Sequence, residues 1–370
     1  MRDEWRYCDD IGPFKILYIY EPSVALRAIL VVDNVACGPS IGGVRMAADV
    51  CLDEAFRLSR AMTMKNAAAG LSHGGGKAVI FADPKIDIGR KEELIRAFGC
   101  AIATHPEYIP GPDMGTDEKC MAWIHDEIGR AVGLPREIGG IPLDEIGATG
   151  YGLSQCVSVA MDYCDFSLKG ARVVVQGFGS VGKHSARFLS EQGAVLVGAA
   201  DSCGSIYNSQ GIDVDKLIGI KNGGGCLTDY EDGDSFEREE VIDFDCDIWI
   251  PAARPDVIHK DDVGRLKARL VVSGANIPFS HEVEAMLHSR GILVIPDYIA
   301  NAGGVICAAA EYHGESQSAA FDDIRDKICK NTDAVLSEMK EKDILPRQAA
   351  DTIALRRVVN GMGCRRWNIF

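Results

Sequence analysis

The segment ARVVVQGFGSVGKH, residues 171–184, contains the pattern that decides the fold of the second half of this chain. An apolar run leads into Gly177-x-Gly179-x-x-Gly182, and a helical pattern starts inside the same motif. The next apolar run, VLVGAA, ends at Asp201, close to the spacing of about 20 residues that such motifs show. Strand, glycine turn, helix, second strand and terminal acid thus follow the order of a βαβ unit that binds a dinucleotide.

The glycine motif predicts how this unit holds an anion. Glycines let a pyrophosphate approach the N-terminus of the helix, where unpaired N–H groups favour negative charge. Asp201 predicts a hydrogen bond to the ribose 2′-hydroxyl and repulsion of a 2′-phosphate. Because Ser202 and Cys203 supply no cation, we expect NAD as the cofactor and NADP as the less favoured alternative. The predicted cofactor-binding residues of this unit are Gly177, Phe178, Gly179, Ser180, Val181, Gly182 and Asp201.

Three later apolar runs predict further buried parallel strands, at residues 247–253, 270–276 and 292–297. The carboxyl ends of such strands are where open α/β sheets bind ligands, so Ala253 and Asn276 are expected to meet the cofactor. For Asn276, a role as the cap of the turn before the following proline is an equal alternative.

The segment NAGGV, residues 301–305, begins a helix of small residues. Its two glycines allow either close approach to a ligand or helix packing.

The first half of the chain contains a different signal, MTMKNAAAGLSHGGGKAVIFAD at residues 62–83. Lys65 lies at helical spacing from Met62 and Ala69, which places it on a face of core-type residues. The glycines at 74–76 are predicted to form a loop that leads to Lys77 and a strand. Two ammonium groups held close together and partly desolvated would have lowered pKa values, which suits a base or an electrophile. A surface lysine in a flexible loop is the alternative.

Two other segments of the first half carry candidate residues. The pair Gly42-Gly43 predicts either a hairpin turn or a close approach of backbone to ligand, and spacing alone favours the turn. The segment YIPGPDMGT, residues 108–116, predicts an irregular stretch made rigid by its prolines, which presents Asp113 at a defined place. Ordinary turn chemistry is the alternative explanation for Asp113.

Composition excludes several classes of function. With 370 residues, 47% of them hydrophobic, the chain can form two domains with buried cores. A net charge of -15 argues against nucleic-acid and membrane partners. The thirteen cysteines stand singly, without metal-ligand spacing, so we expect small buried thiols in a reducing compartment and no metal. The charged N-terminus and the lack of a long apolar run predict a cytoplasmic protein.

A change in composition at residues 133–150 predicts the boundary between two α/β domains with a cleft between them. We expect residues 1–140 to form a substrate-binding and oligomerisation domain, to which residues 331–370 return. Residues 141–330 are expected to form a Rossmann-like dinucleotide-binding domain. The last 40 residues predict a charged amphipathic helix, followed by an apolar ending at 366–370 suited to packing or a subunit contact.

Six motifs from both predicted domains resemble those of the glutamate/leucine/phenylalanine/valine dehydrogenase family. In chain order they are GGVRM (42–46), MTMKNAAAG (62–70), GGGK (74–77), GPDMGT (111–116), GxGxxG (177–182) and NAGGV (301–305). The resemblance runs nearly end to end, and residues 62–77 are most similar to the leucine and phenylalanine dehydrogenase branch. It implies oxidation of an L-amino acid to its 2-oxo acid and ammonia with hydride transfer to the nicotinamide, the reverse reductive amination, and a homo-oligomer.

The same resemblance implies roles for individual residues. Lys65 is similar to the lysine that holds the substrate α-carboxylate, Lys77 to the catalytic lysine that activates water, and Asp113 to the acid/base. A lysine and an aspartate in one water-poor cleft can share the proton transfers of this reaction. Asn276 is similar to the residue that contacts the nicotinamide carboxamide, and Thr149 to one that faces the nicotinamide.

Substrate choice is where the chain departs from the glutamate branch. That branch has a lysine just before the glycine pair and a serine four residues after the second glycine of NAGG, both for the distal carboxylate. The residues here are Ile41 and Ala308, and an unpaired carboxylate beside them would be costly. Gly111 is a small residue that phenylalanine-type members share, which favours a bulky apolar or aromatic substrate. The predicted substrate-binding residues are Lys65, Ile41, Gly42, Gly43, Met62, Gly111, Asn301, Val305 and Ala308.

Two alternatives to an apolar amino-acid dehydrogenase remain at this point. The segments GATGYG (147–152) and GANIP (274–278) resemble the glutamate branch, which keeps glutamate dehydrogenase as the second hypothesis. A non-catalytic NAD-binding sensor is the third, and the presence of both lysines and Asp113 argues against it. The choice among leucine, phenylalanine and tryptophan stays open, because one methylene is worth only about 1–3 kcal/mol in an apolar pocket.

Overall fold

In the computed structural model, which describes residues 5–365, contacts divide the chain into two compact units. The first contains residues 5–143, 305–323 and 351–365, and the second contains residues 144–304 and 324–350. The sequence analysis placed the domain boundaries at residues 140 and 330. That assignment stays a prediction, separate from the two units that the contacts define. Across the described residues, no helix has both the length and the apolar character needed to cross a bilayer.

The first unit is built on a five-stranded mixed sheet. Its elements are β1 (Lys15–Glu21), β2 (Leu26–Asn34), β3 (Ser40–Ala47), α1 (Leu52–Ala68), β4 (Gly74–Phe81), α2 (Ile88–Ala101), β5 (Tyr108–Pro112) and α3 (Glu118–Ile128). The strand order is β1-β2-β4-β3-β5, with β3 parallel to both of its neighbours and the other pairs antiparallel. The main core of this unit includes Leu30 of β2, Ile80 of β4 and Phe98 of α2.

Glycines determine how β3 and β4 approach each other. Gly42 lies inside β3, so the favoured interpretation of a hairpin turn was wrong. A Cβ at Gly42 would lie 1.7 Å from the carbonyl oxygen of Gly76, and one at Gly75 would lie 2.0 Å from the backbone nitrogen of Thr63. The glycines at 74–76 are therefore the start of β4 rather than the predicted loop, because backbone packs against them where side chains would clash.

The proline-rich segment after Tyr108 also differs from the expectation of an irregular stretch. Residues Tyr108–Pro112 form β5, which pairs with β3 at the edge of the sheet. Proline cannot donate to a ladder, and an edge strand tolerates it because only one side of the strand is paired. Asp113 follows directly after this strand.

Helix α1 confirms the predicted helix around Lys65, with a different buried face. Its buried positions include Ala55, Ser59 and Thr63, while Met62 and Lys65 are half-buried. Small side chains face the sheet because the glycine strand β4 lies close to the helix. The face that carries Lys65 therefore lies at the edge of the core.

The second unit contains a seven-stranded sheet. Its elements are α4 (Leu143–Ile146), α5 (Ala148–Ala160), β6 (Arg172–Gln176), α6 (Ser180–Glu191), β7 (Val195–Ala200), β8 (Ser205–Tyr207), α7 (Val214–Asn222), β9 (Asp234–Phe236), β10 (Ile248–Pro251), β11 (Leu270–Val272), α8 (His281–Ser289), β12 (Leu293–Ile295) and α9 (Asp297–Ala300). The strand order is β12-β11-β10-β6-β7-β8-β9, and the strands from β12 to β7 are parallel. The order reverses between β6 and β10, which is the place where doubly wound sheets bind ligands. The predicted buried strands are confirmed.

The chain ends in three helices, α10 (Gly303–Tyr312), α11 (Gln317–Lys342) and α12 (Pro346–Cys364). The single charged helix expected for the last 40 residues is thus two helices, separated near Asp343, whose φ of 52° is left-handed. The apolar ending at 366–370 lies outside the described residues.

Helices α5 and α6 pack closely around a histidine. A Cβ at Gly147 or Gly150 would lie within 2.7 Å of His184, which belongs to α6 and is 6% exposed. Burial, with smaller contributions from Arg187 and Lys183, lowers the pKa of His184 to about 4. The folded protein therefore holds this imidazole in its neutral form near pH 7.

Acidification is expected to destabilise the second unit through His184. An unfolded histidine has a pKa of about 6.5. The free energy of unfolding therefore falls as the pH drops from this value towards the folded pKa, by about 2 kcal/mol at pH 5. The variant His184→Leu should lose less stability over this interval, measured by calorimetry at about pH 7.5 and pH 5. An exposed histidine of the same unit, changed in His281→Leu, is the control and should behave as wild type. Equal losses in both variants would contradict this prediction.

Candidate active site

Lys77 and Asp113, the predicted catalytic pair, touch each other. The distance from Lys77 Nζ to Asp113 Oδ2 is 2.5 Å, and Lys77 is only 6% exposed. Lys77 belongs to β4 and Asp113 follows β5, so the strand between them, β3, lies beside both. A Cβ at Gly43 of β3 would be 3.0 Å from Lys77 Nζ and 2.7 Å from Asp113 Cβ. Only glycine at this position leaves the pair undisturbed.

A second cation, which the sequence analysis missed, holds the same carboxylate. Arg45 Nε lies 3.0 Å from Asp113 Oδ2, and the other side of its guanidinium pairs with Glu54 of α1. The motif GGVRM contained this arginine, but only the parallel pairing of β3 with β5 brings it to Asp113. Arg45 therefore links the predicted acid/base to the helix that carries Lys65.

Burial and charge act on both members of the pair. Burial lowers the pKa of Lys77, Asp113 opposes this effect, and Arg45 lowers the pKa further. Burial alone would raise the pKa of Asp113, but Lys77 and Arg45 outweigh it and the net pKa is lowered. The site thus contains an ammonium group that loses its proton more readily than usual, beside a carboxylate that stays charged. This combination suits proton transfer near neutral pH.

Strand register brings several predicted substrate residues to the same part of the sheet. Ile41 lies beside Gly75 and Ile109, and the two glycines that follow it lie opposite Pro110 and Gly111. Ile41 is 3% exposed and Ala308 is 7% exposed, while Met62, Lys65 and Val305 are half-buried.

Gly111 is a weaker indicator of a large substrate pocket than the sequence suggested. A Cβ at Gly111 would lie 3.1 Å from Val132 Cγ2. The missing side chain therefore leaves room for Val132.

In the second unit, the three motif glycines have distinct surroundings. Gly177 has φ of 99°, and a Cβ there would lie 2.5 Å from the backbone of Ala253. A Cβ at Gly182 would lie 2.0 Å from the carbonyl oxygen of Gly177, so this glycine permits close packing of α6. Gly179 has no atom within 4 Å of an added Cβ and is exposed. A pyrophosphate needs a tight turn, open space in which to reach the backbone, and a helix that begins close to the strand. The three glycines provide these features, so they fit a dinucleotide.

A cavity of about 740 Å³ lies at this turn. Its lining includes five predicted cofactor residues, Gly177, Phe178, Gly179, Asp201 and Ala253. Ser180, Val181 and Gly182 belong to the first turn of α6, and the Ser180 hydroxyl donates to the carbonyl oxygen of Asp144. Thr149 and Asn276 do not line this cavity. Thr149 lies half-buried in the first turn of α5, and Asn276 is exposed in the loop after β11.

Asp201 has a cationic partner that the sequence analysis did not identify. Lys221 of α7 places its Nζ 2.7 Å from Asp201 Oδ2, and both residues line the cavity. Burial opposes ionisation of Asp201, but Lys221 and two backbone N–H groups outweigh it, and its pKa is lowered. The sequence analysis considered only the two residues after Asp201, whereas Lys221 comes from a helix 20 residues further along the chain.

The loop after Asp201 also corrects the expectation of thirteen single cysteines. Cys203 and Cys226 form a disulfide, and the other eleven cysteines are free. Four of the free ones, at positions 8, 51, 100 and 364, are exposed rather than buried. Within residues 5–365, no cluster of three or more His, Cys, Asp or Glu side chains is arranged to hold a metal ion.

Asn301 contacts the loop after β11. Its Nδ2 donates to Asn276 Oδ1 at 2.9 Å and to the carbonyl oxygen of Gly274 at 3.3 Å. A Cβ at Gly303 would lie 2.3 Å from the carbonyl oxygen of Ala148, so this glycine permits close approach of its backbone to α5.

A glycine turn that fits a dinucleotide on a doubly wound sheet and a buried lysine–aspartate pair are both features expected of a dehydrogenase that carries out acid/base chemistry. The family model described as Glutamate/Leucine/Phenylalanine/Valine dehydrogenase matches residues 139–366, and that described as Glu/Leu/Phe/Val dehydrogenase, dimerisation domain, matches residues 21–130. The chain belongs to the Glu/Leu/Phe/Val dehydrogenase family. It is an amino-acid dehydrogenase, an oxidoreductase that acts on the CH–NH₂ group.

Curated relatives resemble the chain over most of its length. The glutamate dehydrogenase of Aeropyrum pernix is 36% identical over 358 residues, which cover 90% of this chain and 85% of the relative. The NADP-specific glutamate dehydrogenase of Saccharolobus shibatae is 36% identical, with coverage of 90% and 83%. The NAD-specific glutamate dehydrogenase of Staphylococcus aureus is 33% identical, with coverage of 90% and 85%.

Two solved structures share the fold. The hetero-hexameric glutamate dehydrogenase of Thermus thermophilus, in a leucine-bound form, matches with a TM-score of 0.86 and 28% identity over 96% of this chain and 91% of that chain. The L-tryptophan dehydrogenase of Nostoc punctiforme matches with a TM-score of 0.75 and 27% identity, over 95% and 97%.

Removal of the Arg45 charge is expected to shift the pH dependence of catalysis. In Arg45→Gln the pKa values of both Lys77 and Asp113 should rise, because a cation that favours the charged aspartate and the neutral lysine is lost. The pH at which kcat/KM reaches half its maximum should therefore move upward by about 1 unit. Steady-state rates with the best amino-acid substrate between about pH 6 and pH 11 measure this shift. The matched control is Arg60→Gln, which removes a guanidinium paired with Asp9 and Asp33 in the same unit. A pH profile of kcat/KM identical to wild type in Arg45→Gln would contradict the proposed effect of Arg45 on Lys77 and Asp113.

Proposed function

We propose that this chain oxidises an apolar L-amino acid to its 2-oxo acid and ammonia with NAD, and catalyses the reverse reductive amination. The observation that supports this substrate class is the pair Ile41 and Ala308, which are both buried and uncharged. In the glutamate branch, by the resemblance drawn from sequence, these positions carry the lysine and the serine that bind a distal carboxylate. A substrate with a second carboxylate would have no counter-charge from these residues here.

In this proposal the protein supplies the proton transfers. When bound, the nicotinamide ring accepts a hydride from the substrate Cα. The resulting iminium is attacked by water, and the carbinolamine nitrogen then takes up a proton and leaves as ammonia. Lys77, whose pKa is lowered by burial, is the proposed base for the attacking water. Asp113, in direct contact with it, exchanges the proton, and Lys65 holds the substrate α-carboxylate.

Glutamate is the second candidate substrate. The curated relatives named above are glutamate dehydrogenases, and the structural neighbour with a TM-score of 0.86 is one as well. The other neighbour is a tryptophan dehydrogenase, which supports a large apolar substrate. The leucine/phenylalanine branch is therefore a proposal that rests on the pocket residues. A non-catalytic sensor is disfavoured by family membership and by the contact between Lys77 and Asp113.

A nicotinamide dinucleotide is supported as the cofactor by the names of the relatives, which include NAD- and NADP-specific enzymes. We propose NAD as the preferred form, because Asp201 occupies the position that a 2′-phosphate would approach. Lys221 reduces this preference, since it partly neutralises Asp201.

A homo-oligomer in the cytoplasm completes the proposal. The family model of the first unit is described as a dimerisation domain, and the Thermus thermophilus neighbour is hexameric. The edge strand β1 exposes two aromatic side chains, with Tyr18 72% and Tyr20 68% exposed, which is suited to a subunit contact. The cytoplasmic location rests on the eleven free cysteines.

A panel of amino acids tests the substrate class. We expect NADH formation with leucine, phenylalanine or tryptophan and a much lower kcat/KM with glutamate. Higher kcat/KM for glutamate than for every apolar amino acid would favour the second candidate, and no turnover with any of them would refute both.

The double variant Ile41→Lys, Ala308→Ser should improve kcat/KM for glutamate relative to apolar substrates by about tenfold or more, because it restores a counter-charge. Ala308→Ser alone is the control, since it adds no charge.

Removal of Lys221 tests the cofactor preference. In Lys221→Gln the uncompensated carboxylate of Asp201 should repel a 2′-phosphate more strongly. The ratio of kcat/KM with NAD to that with NADP should therefore rise by about tenfold, the effect of roughly one charge-assisted contact. Lys216→Gln, which alters a neighbouring lysine of α7 that pairs with Asp232 instead, should leave the ratio unchanged. A ratio that falls in Lys221→Gln would show that Lys221 does not favour NADP.

A further inference from the structure

A buried group of charges lies outside all residues assigned so far. Arg347, in the first turn of α12, pairs with Glu284 of α8 and with Asp297 at the start of α9. Arg347 Nη2 lies 2.9 Å from Asp297 Oδ1, and the three side chains are between 2% and 12% exposed. Burial raises the pKa of Glu284 and the nearby charge of Asp297 raises it further. Arg347 is thus the cationic partner of both buried carboxylates, and its removal would leave them without that counter-charge.

The second oxygen of Asp297 reaches the loop after β11. Asp297 Oδ2 accepts a hydrogen bond of 2.8 Å from the backbone N–H of Ile277. Ile277 has φ of 49°, a left-handed conformation that is unfavourable for a β-branched residue. Its side chain is 42% exposed, so tight packing of that side chain does not account for the conformation. The carboxylate paired with Arg347 is thus one support of this turn, beside the backbone N–H of Asp256, which donates to the carbonyl oxygen of Ile277 at 3.0 Å.

Helix α9 holds the same turn through a second connection. The backbone N–H of Asn301 donates to the carbonyl oxygen of Asp297 at 2.8 Å. The Asn301 side chain in turn donates to Asn276 Oδ1 at 2.9 Å. The backbone of Ile277 and the side chain of Asn276 are therefore both connected to α9, through Asp297 at its start and Asn301 at its end. Arg347 pairs with that first residue of α9.

We propose that Arg347 is a positioning residue, which holds the Asn276–Ile277 turn in the conformation that receives the nicotinamide end of the cofactor. The effect passes from Arg347 through Asp297 to the turn, without contact between Arg347 and the cofactor. The inference rests on the proposed function only in the assignment of Asn276 to the nicotinamide. It assigns a role in cofactor binding to α12, a helix that the sequence analysis assigns to the substrate-binding and oligomerisation domain.

The test compares two ligands that differ in the nicotinamide. NADH and ADP-ribose share the adenosine and pyrophosphate, and ADP-ribose lacks the nicotinamide ring. In Arg347→Met the Kd of NADH should rise by about tenfold, the effect of losing one well-ordered buried hydrogen bond. The Kd of ADP-ribose should stay within about twofold of wild type, because the glycine turn and Asp201 are unaffected. Isothermal titration calorimetry measures both constants without an amino acid present.

Two milder variants and one control separate positioning from loss of stability. Arg347→Lys retains a cation and should restore most of the NADH affinity. Asp297→Asn removes the charge that Arg347 holds but leaves an oxygen for the Ile277 N–H, so it should weaken NADH binding less than Arg347→Met does. Both variants test the proposal if Arg347→Met does not fold. The matched control is Arg60→Met in the first unit, which also leaves a buried carboxylate, Asp33, without its guanidinium. It should lower the melting temperature without changing either Kd.

Several outcomes would overturn the proposal. Equal losses of NADH and ADP-ribose affinity in Arg347→Met, or in the two milder variants, would indicate a general loss of structure in the second unit. Unchanged NADH affinity in folded Arg347→Met would exclude the positioning role. The proposed function fails separately, because it is tested by turnover of amino acids whereas these titrations contain none. Wild-type protein that binds ADP-ribose as tightly as NADH would refute the assumed nicotinamide contact and this inference with it.

Discussion

The contact between Lys77 and Asp113 constrains much of the first unit. An ammonium group and a carboxylate 2.5 Å apart must be buried to influence each other strongly, and they must also be reached by a substrate. The sheet meets both demands by placing them on β4 and after β5, with β3 between the two strands. Gly43 then has to lack a side chain, since a Cβ there would reach both groups.

The same contact explains the surroundings of the site. Burial alone would raise the pKa of Asp113, and Arg45 adds a second cation to Lys77 that lowers it. Arg45 is in turn held by Glu54 of α1, so the helix that carries Lys65 is connected to the predicted acid/base. Three ion pairs, Lys77–Asp113, Arg45–Asp113 and Arg45–Glu54, therefore link three strands and a helix.

The residues of the proposed substrate pocket and the overall sequence similarity favour different substrates for a physical reason. Sequence identity averages over the whole chain, most of which maintains two cores and a dinucleotide turn that every member needs. Substrate choice depends on a few positions, and a single missing counter-charge can outweigh many apolar contacts. Ile41 and Ala308 can thus differ from the glutamate branch while the chain stays 36% identical to a glutamate dehydrogenase.

Local patterns in the sequence were sufficient for a large part of the second unit. The βαβ unit around Gly177, the parallel strands β10 to β12 and the helix that begins at Gly303 are all confirmed, because each depends on residues close together in the chain. The pair Lys77 and Asp113 came from the resemblance of their motifs. The glycines at 42–43 and 74–76 were misassigned to a turn and a loop, since glycine marks a close backbone approach without showing whether that approach occurs in a turn or in a sheet.

The amino-acid sequence by itself determined the family, the dinucleotide turn and the identity of the catalytic candidates, because these are written in short motifs. Only the tertiary structure decided which charges meet. Arg45 reaches Asp113 through strand register, Lys221 reaches Asp201 from a separate helix, and Arg347 reaches Asp297 from the end of the chain. Each of these pairs is distant in sequence, and an ion pair depends on distances of a few ångströms that only the folded chain sets.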